Sequence, residues 1–189
     1  SGPGIRATTT PEGGRPGTLD SEAMKVYLAS PLGFAASTRS FLAELVATLS
    51  PVAEIINPWD DHRFDEDIAR AARLDSRLER LQILTRVNFA LGQANEERIR
   101  TADALAAVLD GVDVDSGTAA EIGFAYALGK PIFGLRTDFR LAGDNEAALV
   151  NLQVQYFIEA SGGKIVTSVP ELVTALRSLR GAGFPPPQG

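Results

Sequence analysis

Residues 104–136 read ALAAVLDGVDVDSGTAAEIGFAYALGKPIFGLR and contain a complete strand–helix–strand pattern. Two short apolar runs, at 104–110 and 131–136, flank a segment with helical apolar spacing at 117–129. The runs are apolar at consecutive positions, so both faces of each strand are buried. Strands of this kind are typical of a parallel sheet covered by helices on both sides.

The same alternation extends outward in both directions. Further strands are predicted at 25–30, 53–58 and 164–168, and further helices at 36–49, 65–101, 145–160 and 169–180. The sequence therefore predicts an α/β fold with a doubly wound, five-stranded parallel sheet, flavodoxin-like or Rossmann-like, of order 2-1-3-4-5 with helices on both faces. This order predicts a ligand crevice beyond the carboxyl ends of strands 1, 3 and 4.

The two ends of the chain differ from this pattern. Residues 1–23 are rich in Gly, Pro, Thr and Ser, which predicts a flexible leader. Met24 is the only methionine, so we expect natural translation to start there and some or all of the preceding residues to be vector-derived. Residues 24–180 are predicted to form a single domain, and 181–189 a flexible tail.

Composition narrows the possible functions. The net charge of −6 argues against a nucleic acid or an anionic membrane as partner. There is no cysteine and only one histidine, His62, so thiolate and multi-histidine metal sites are excluded. His62 lies in the polar run PWDDHRF, which favours a solvated histidine over a catalytic one. No segment is apolar enough to cross a membrane, and we expect a cytoplasmic protein.

Three loops follow the strands that border the predicted crevice: SPLGF, DGVDVDSGT and RTDFRLAGDN. None contains a phosphate-binding G-x-x-x-x-G-K-[ST] motif, and no G-x-G-x-x-G follows the first strand. Nucleoside triphosphates and dinucleotide cofactors are therefore poorly supported.

Glu121 is the only charge between Asp115 and Lys130, within an otherwise small, apolar or aromatic helix. One interpretation is structural, because Thr118 to Glu121 fits the S/T-x-x-E capping box. The other is chemical. A helix start favours an ionised, poorly hydrated carboxylate, which suits nucleophilic attack on a sugar carbon in retaining glycosyl transfer.

Acids for such a reaction are close in sequence. Asp115, Asp113 and Asp110 all precede the helix, although Asp115 is equally typical of a loop residue or helix cap.

Three segments together resemble the nucleoside 2-deoxyribosyltransferases: YLASPLGF near the start, AAVLDGVDVDSGTAAEIGFAYALGKP after an AD pair, and NLQVQYF. The resemblance covers roughly residues 25–175. It implies a homo-oligomeric enzyme of nucleotide salvage that moves 2-deoxyribose between nucleobases, acts on 2'-deoxyribonucleosides and free bases, and needs no metal or organic cofactor.

The resemblance also implies roles for individual residues. Glu121 is similar to the family's nucleophile, Asp115 to the residue that engages the sugar, and Tyr27 to the tyrosine that positions the nucleophile. Asn151 and Gln153 match residues that a neighbouring subunit of a dimer or hexamer contributes toward the sugar 5'-hydroxyl.

The base-binding side is implied less directly. Asn95 falls where some relatives have an aspartate that contacts the base, and an asparagine can form hydrogen bonds but cannot donate a catalytic proton. Gly117 of the D-x-G-T-x-x-E-I-G block and Phe34 of the first loop complete the predicted substrate-binding set.

Structural interpretations stand beside these roles. Tyr27 is also typical of a core strand, Asn151 of a helix cap and Gln153 of a surface position. Phe34, Trp59 and Phe139 are aromatics that could stack on a base, although scattered aromatics are more often core residues.

The sequence thus predicts a retaining double displacement through a covalent deoxyribosyl-glutamate. One alternative is a hydrolase of the same fold that cleaves 2'-deoxynucleoside 5'-monophosphates, which Ser30, Ser37 and Arg39 would suit. Another is a nucleoside sensor without catalysis.

Overall fold

The computed structural model describes residues 23–181, so the predicted leader and tail lie outside the described residues apart from one residue each. The strands are β1 (Lys25–Ala29), β2 (Glu54–Ile56), β3 (Ala104–Val108), β4 (Ile132–Leu135) and β5 (Lys164–Val166). The helices are α1 (Arg39–Leu49), α2 (Asp65–Ala72), α3 (Arg77–Thr101), α4 (Ser116–Ala127), α5 (Leu152–Ala160) and α6 (Val169–Gly181). Short 3-10 helices occupy Ala36–Thr38 and Pro58–Asp60.

The five strands form one parallel sheet of order β2-β1-β3-β4-β5, as the sequence predicts. Tyr27 of β1 is paired in register with Ile56 of β2 and Leu105 of β3. All observed strands are shorter than the predicted ones, and the residues trimmed from their carboxyl ends begin the loops. Because β1 and β3 are parallel neighbours in the middle of the sheet, their carboxyl ends lie side by side.

Helices cover both faces of the sheet, which confirms the predicted layers. Val26 and Leu28 face a core that includes apolar side chains of α1 and α6. Tyr27 and Ala29 alternate with them and face a second core formed with α4 and α5. This alternation explains why every residue from Val26 to Ala29 is buried.

The connection from α4 to β4 shows how the strand–helix–strand unit closes. Gly129 has φ of +68°, the left-handed region that ends many helices. Its N–H donates to the Tyr126 carbonyl at 2.9 Å, and the N–H of Lys130 donates to the Ala125 carbonyl at 3.1 Å. The chain turns back here and enters β4 parallel to β3.

Two predicted helices are interrupted. The segment 65–101 divides into α2 and α3, because Ser76 accepts a hydrogen bond from the Glu79 N–H and starts a new helix. Of the segment 145–160, only the part from 152 is helical, since Asn151 caps α5. Within residues 23–181, no helix has the length and apolarity needed to cross a membrane.

Candidate active site

A cavity of about 1010 Å³ opens at the carboxyl edge of the sheet. Its walls come from the loop after β1, from α1, from the segment after β2, from α3 and from the start of α4. Pockets for small organic ligands typically enclose about 300–1,000 Å³. The cavity is therefore large enough for a nucleoside.

The position of the cavity corrects one prediction. The crevice was expected beyond β1, β3 and β4, but the loop after β4 does not line it, and the segment after β2 does. The loop after β4 is bound instead to Asp110, whose carboxylate accepts hydrogen bonds from the N–H groups of Thr137 and Asp138 at 2.6 and 2.8 Å. The buried Arg136 adds to this link by donating to the Leu109 carbonyl at 2.5 Å.

Glu121 lies in the second turn of α4 and lines the cavity. The Tyr27 hydroxyl donates a hydrogen bond to its Oε1 at 2.6 Å. Burial raises the pKa of Glu121; the bond from Tyr27 opposes that rise, and the nearby Asp115 charge adds to it. The net direction of the pKa shift is upward, so the hydrogen bond from Tyr27 does not fully offset the cost of burying this charge.

Tyr27 has no exposed surface and sits directly behind Glu121. Burial, the Glu121 charge and the hydrogen bond between them raise the pKa of Tyr27, while the charge of Arg98 lowers it. The phenol therefore stays protonated at neutral pH and acts as the donor. This bond fixes one oxygen of the Glu121 carboxylate.

The start of α4 corrects the capping-box interpretation. Asp115 is the N-cap, and its Oδ2 accepts from the N–H of Thr118 at 3.0 Å and from the Thr118 hydroxyl at 3.2 Å. Glu121 is therefore not needed to cap the helix. Asp115 also lines the cavity, so one carboxylate both starts the helix and borders the ligand space.

The other acids near the helix do not line the cavity. Asp110 is engaged by the loop after β4, as described above, and Asp113 accepts a hydrogen bond from the N–H of Val114 at 2.8 Å. His62 does line the cavity, where it pairs with Asp65 at 2.9 Å. Its side chain is 74% exposed, in keeping with the solvated histidine that the sequence favours.

Three further predicted residues lie in the cavity wall: Asn95 on α3, Gly117 in the first turn of α4 and Phe34 after β1. A Cβ atom on Gly117 would lie 3.1 Å from Asp115 Oδ2, so the glycine leaves that oxygen uncrowded. The ring of Phe34 makes an edge contact with Trp59, with 4.6 Å between the ring centroids. Phe139 is 94% exposed and lies outside the cavity.

Asn151 and Gln153 do not line this cavity. Asn151 caps α5, since its side-chain oxygen accepts from the N–H groups of Gln153 and Val154 at 3.0 and 3.4 Å. Gln153 is exposed in the first turn of that helix. Their predicted contribution to a neighbouring subunit's site stays a prediction.

Sequence reasoning missed an ion pair in the cavity wall. Asp61 has a side chain only 2% exposed and accepts from Arg98 at 2.6 Å and from Arg63 at 2.8 Å. The partners lie on α3 and in the segment after β2. The run PWDDHRF contains Arg63 but gives no sign of the bond to Arg98, because Arg98 lies 37 positions further along the chain.

A doubly wound α/β domain with a tyrosine-bound, half-buried carboxylate at a cavity of this size has the features of an enzyme that acts on a small organic ligand. The chain belongs to the nucleoside 2-deoxyribosyltransferase family, whose sequence model matches residues 26–153. A search of curated proteins found no match.

Solved structures share the fold. A conserved protein from Enterococcus faecalis V583 is 24% identical, with a TM-score of 0.58, and the match covers 82% of this chain and 98% of that one. A 2-deoxyribosyltransferase from Leishmania mexicana is 20% identical, with a TM-score of 0.54 and coverage of 85% and 99%. The 2-deoxyribosyltransferase from Bacillus psychrosaccharolyticus is 20% identical, with a TM-score of 0.51 and coverage of 79% and 90%.

Proposed function

We propose that this protein exchanges the base of 2'-deoxyribonucleosides in nucleotide salvage, by two displacements at the anomeric carbon. A carboxylate oxygen of Glu121 attacks C1', and the bond from C1' to the first base breaks, with the electron pair leaving on that base. A second base then attacks C1' from the opposite side and releases Glu121. Two inversions retain the configuration.

The observation that carries the proposal is the bond between Tyr27 and Glu121 at the wall of a nucleoside-sized cavity. Because Tyr27 engages Oε1, the other oxygen of the carboxylate is the candidate to attack. A nucleophile held in one orientation loses less entropy on the way to the transition state. Partial burial also limits hydration of the anion, which strengthens its interaction with the positive charge that develops on the sugar.

Asp115 supports a sugar-binding role in the same site. It lies six residues before Glu121 in the sequence and lines the same cavity. One of its carboxylate oxygens accepts a hydrogen bond from Thr118 and is held in place. The remaining lone pairs can accept from a sugar hydroxyl.

We assign the contact with the sugar 5'-hydroxyl to Asn151 and Gln153 of a neighbouring copy. This assignment rests on the family resemblance and on the absence of both residues from the cavity of their own chain. A homo-oligomer would therefore be needed for full activity.

A hydrolase acting on 2'-deoxynucleoside 5'-monophosphates is a second candidate, and one observation favours it. Ser30 and Arg39 both line the cavity, and Arg39 donates only its Nε, to the Gly33 carbonyl at 3.2 Å, among the hydrogen bonds of the described residues. Its two terminal nitrogens are thus available for a phosphate.

The deciding experiment incubates the protein with deoxyinosine and free adenine. Deoxyadenosine as product supports transfer. Release of free 2-deoxyribose alone supports hydrolysis. In a parallel incubation with deoxyinosine 5'-monophosphate, turnover of this nucleotide but not of deoxyinosine also supports hydrolysis. The Glu121→Gln variant is the matched control, since it keeps the size of the side chain and an oxygen that can accept from Tyr27.

Mass spectrometry tests the intermediate directly. The protein mixed with a deoxynucleoside and no acceptor base should gain the mass of one deoxyribosyl group, located on the peptide that contains Glu121. Turnover without any adduct, even after rapid acid quenching, would contradict the covalent step.

A further inference from the structure

Asp61, Arg98 and Asn95 form a connected chain of hydrogen bonds along one wall of the cavity. Asp61 Oδ2 accepts from Arg98 Nη2 at 2.6 Å, and Arg98 Nη1 donates to Asn95 Oδ1 at 3.3 Å. Asp61 and Asn95 both line the cavity. The side chain between them therefore links a buried carboxylate to an amide that faces the ligand space.

The position of Arg98 is fixed. Asp61 also accepts from Arg63 Nε at 2.9 Å and from the Arg63 backbone N–H at 3.2 Å, so its carboxylate has little freedom to turn. A carboxylate that is 2% exposed holds its guanidinium partner firmly, because losing that partner would strand a buried charge.

This arrangement determines which end of the Asn95 amide contacts Arg98. A guanidinium group can only donate hydrogen bonds, so the atom of Asn95 nearest to Arg98 must be the oxygen. The NH2 group then points away from Arg98. Among the hydrogen bonds of residues 23–181, this NH2 group donates none. Every fully buried side-chain nitrogen in the same residues has a hydrogen-bond partner, so an unpaired nitrogen such as this one is not fully buried. The NH2 group therefore keeps accessible surface, and it belongs to a residue that lines the cavity.

We propose that the Asp61–Arg98 pair locks Asn95 as a hydrogen-bond donor toward the bound base, so that the site selects bases with an oxygen acceptor on that edge. This inference rests on the proposed function and adds a specificity to it. The exocyclic oxygens of hypoxanthine and uracil can accept from the NH2 group. The amino groups of adenine and cytosine would bring a second donor against it and leave both unpaired.

Arg98 and Asp61 act in this proposal as positioning residues, since neither needs to touch the base. Without Arg98, the Asn95 amide could rotate and offer its oxygen instead, so that both kinds of base would be accommodated. The preference between two bases that differ in this one group therefore reports on the lock itself.

The test is a competition between hypoxanthine and adenine at equal concentration, with thymidine as the common deoxyribosyl donor. The initial ratio of deoxyinosine to deoxyadenosine gives the ratio of the two kcat/KM values, and it does not depend on how much of the protein is folded. The wild-type ratio is expected to favour hypoxanthine about tenfold or more. The oxygen of hypoxanthine forms a hydrogen bond with the Asn95 NH2 group, whereas the amino group of adenine leaves that donor without a partner. Uracil against cytosine should give the same direction.

Variants separate the lock from general stability. Asn95→Asp should invert the ratio, because a carboxylate accepts from an amino group. Arg98→Met should bring the ratio toward one. Arg100→Met is the matched control: Arg100 lies on the same helix and binds Glu96 at 2.8 Å, but it does not line the cavity. It should leave the ratio unchanged.

The outcomes are distinguishable. A wild-type ratio at or below one, or an Arg98→Met ratio equal to that of the wild type, overturns this inference while the proposed function stands. Exchange of neither base, together with no deoxyribosyl adduct, overturns the proposed function and this inference with it.

Discussion

Replacing Asp115 by alanine and by asparagine separates its structural role from its chemical one. Alanine removes the acceptor for two donors of Thr118, its N–H and its hydroxyl, and Thr118 is only 2% exposed. Loss of an N-cap costs about 1 kcal/mol, and a buried donor left without a partner adds about 1–3 kcal/mol. We therefore expect Asp115→Ala to lose about 2–4 kcal/mol of unfolding free energy. At about 2–4 °C per kcal/mol for a domain of this size, Tm should fall by roughly 4–16 °C.

Asp115→Asn keeps an oxygen that can cap the helix, and Asn ranks with Asp as a cap, so its Tm should stay within a few degrees of the wild type. Its activity should nevertheless fall, since a hydrogen bond from a sugar hydroxyl to a charged group contributes about 1.5–3 kcal/mol, or roughly 10- to 150-fold in kcat/KM. Removing the Asp115 charge also lowers the pKa of Glu121, so the acid limb of the kcat/KM profile should move to lower pH.

Thermal unfolding and the pH–rate profile of base exchange, measured on both variants, check these expectations. An asparagine variant as unstable as the alanine variant would refute the cap assignment. An asparagine variant with wild-type kcat/KM at every pH would refute the role of the carboxylate in the site.

Tyr27→Phe should shift the acid limb of kcat/KM to higher pH, because the hydroxyl that lowers the pKa of Glu121 is gone; an unchanged limb would count against the hydrogen bond. Glu121→Gln should abolish exchange without loss of stability. The pKa of Glu121 is higher in the folded than in the unfolded protein, so the wild type loses stability as the pH rises from the unfolded pKa through the folded pKa. Across this pH range the Tm of the variant should therefore increase relative to that of the wild type. A variant that melts well below the wild type at pH 8 would contradict this. Asn151→Ser retains a side-chain cap for α5 and should fold, yet lose activity. Mixing it with inactive Glu121→Gln protein and allowing subunits to exchange should restore part of the activity, because a mixed oligomer can combine Glu121 of one chain with Asn151 of the other. No recovery would argue for sites confined to one chain.

The fold was predictable because its signals are local. Apolar runs of five to seven residues that alternate with helical spacing favour a parallel sheet with both faces covered, and 2-1-3-4-5 is a common strand order for such sheets. The six-residue spacing from Asp115 to Glu121 likewise predicts two carboxylates near one helix start. The strand position of Tyr27, however, indicates burial but not its partner, which is 94 positions away.

Other features depend on contacts that no local pattern encodes. Asp110 and Arg136 bind the loop after β4 to the loop after β3 across separations of more than 20 residues, and the loop after β4 does not line the cavity. Asp61 reads as a solvated charge in the sequence, and its pairing with Arg98 joins positions 37 residues apart that no local pattern connects. The helix cap was ambiguous because Asp115 and Thr118 both have side chains suited to the role, and the tertiary position of the loop selects Asp115.

The placement of Tyr27 in the middle of β1 ties the proposed nucleophile Glu121 to a buried strand at the centre of the sheet. Strands flanked on both sides open only when the whole domain unfolds, whereas surface loops fray independently. Heat inactivation should therefore follow the cooperative melting of the sheet and not an earlier loosening of the cavity rim. Substitutions that improve packing around β1 would then extend the working temperature of the protein more than substitutions in its loops.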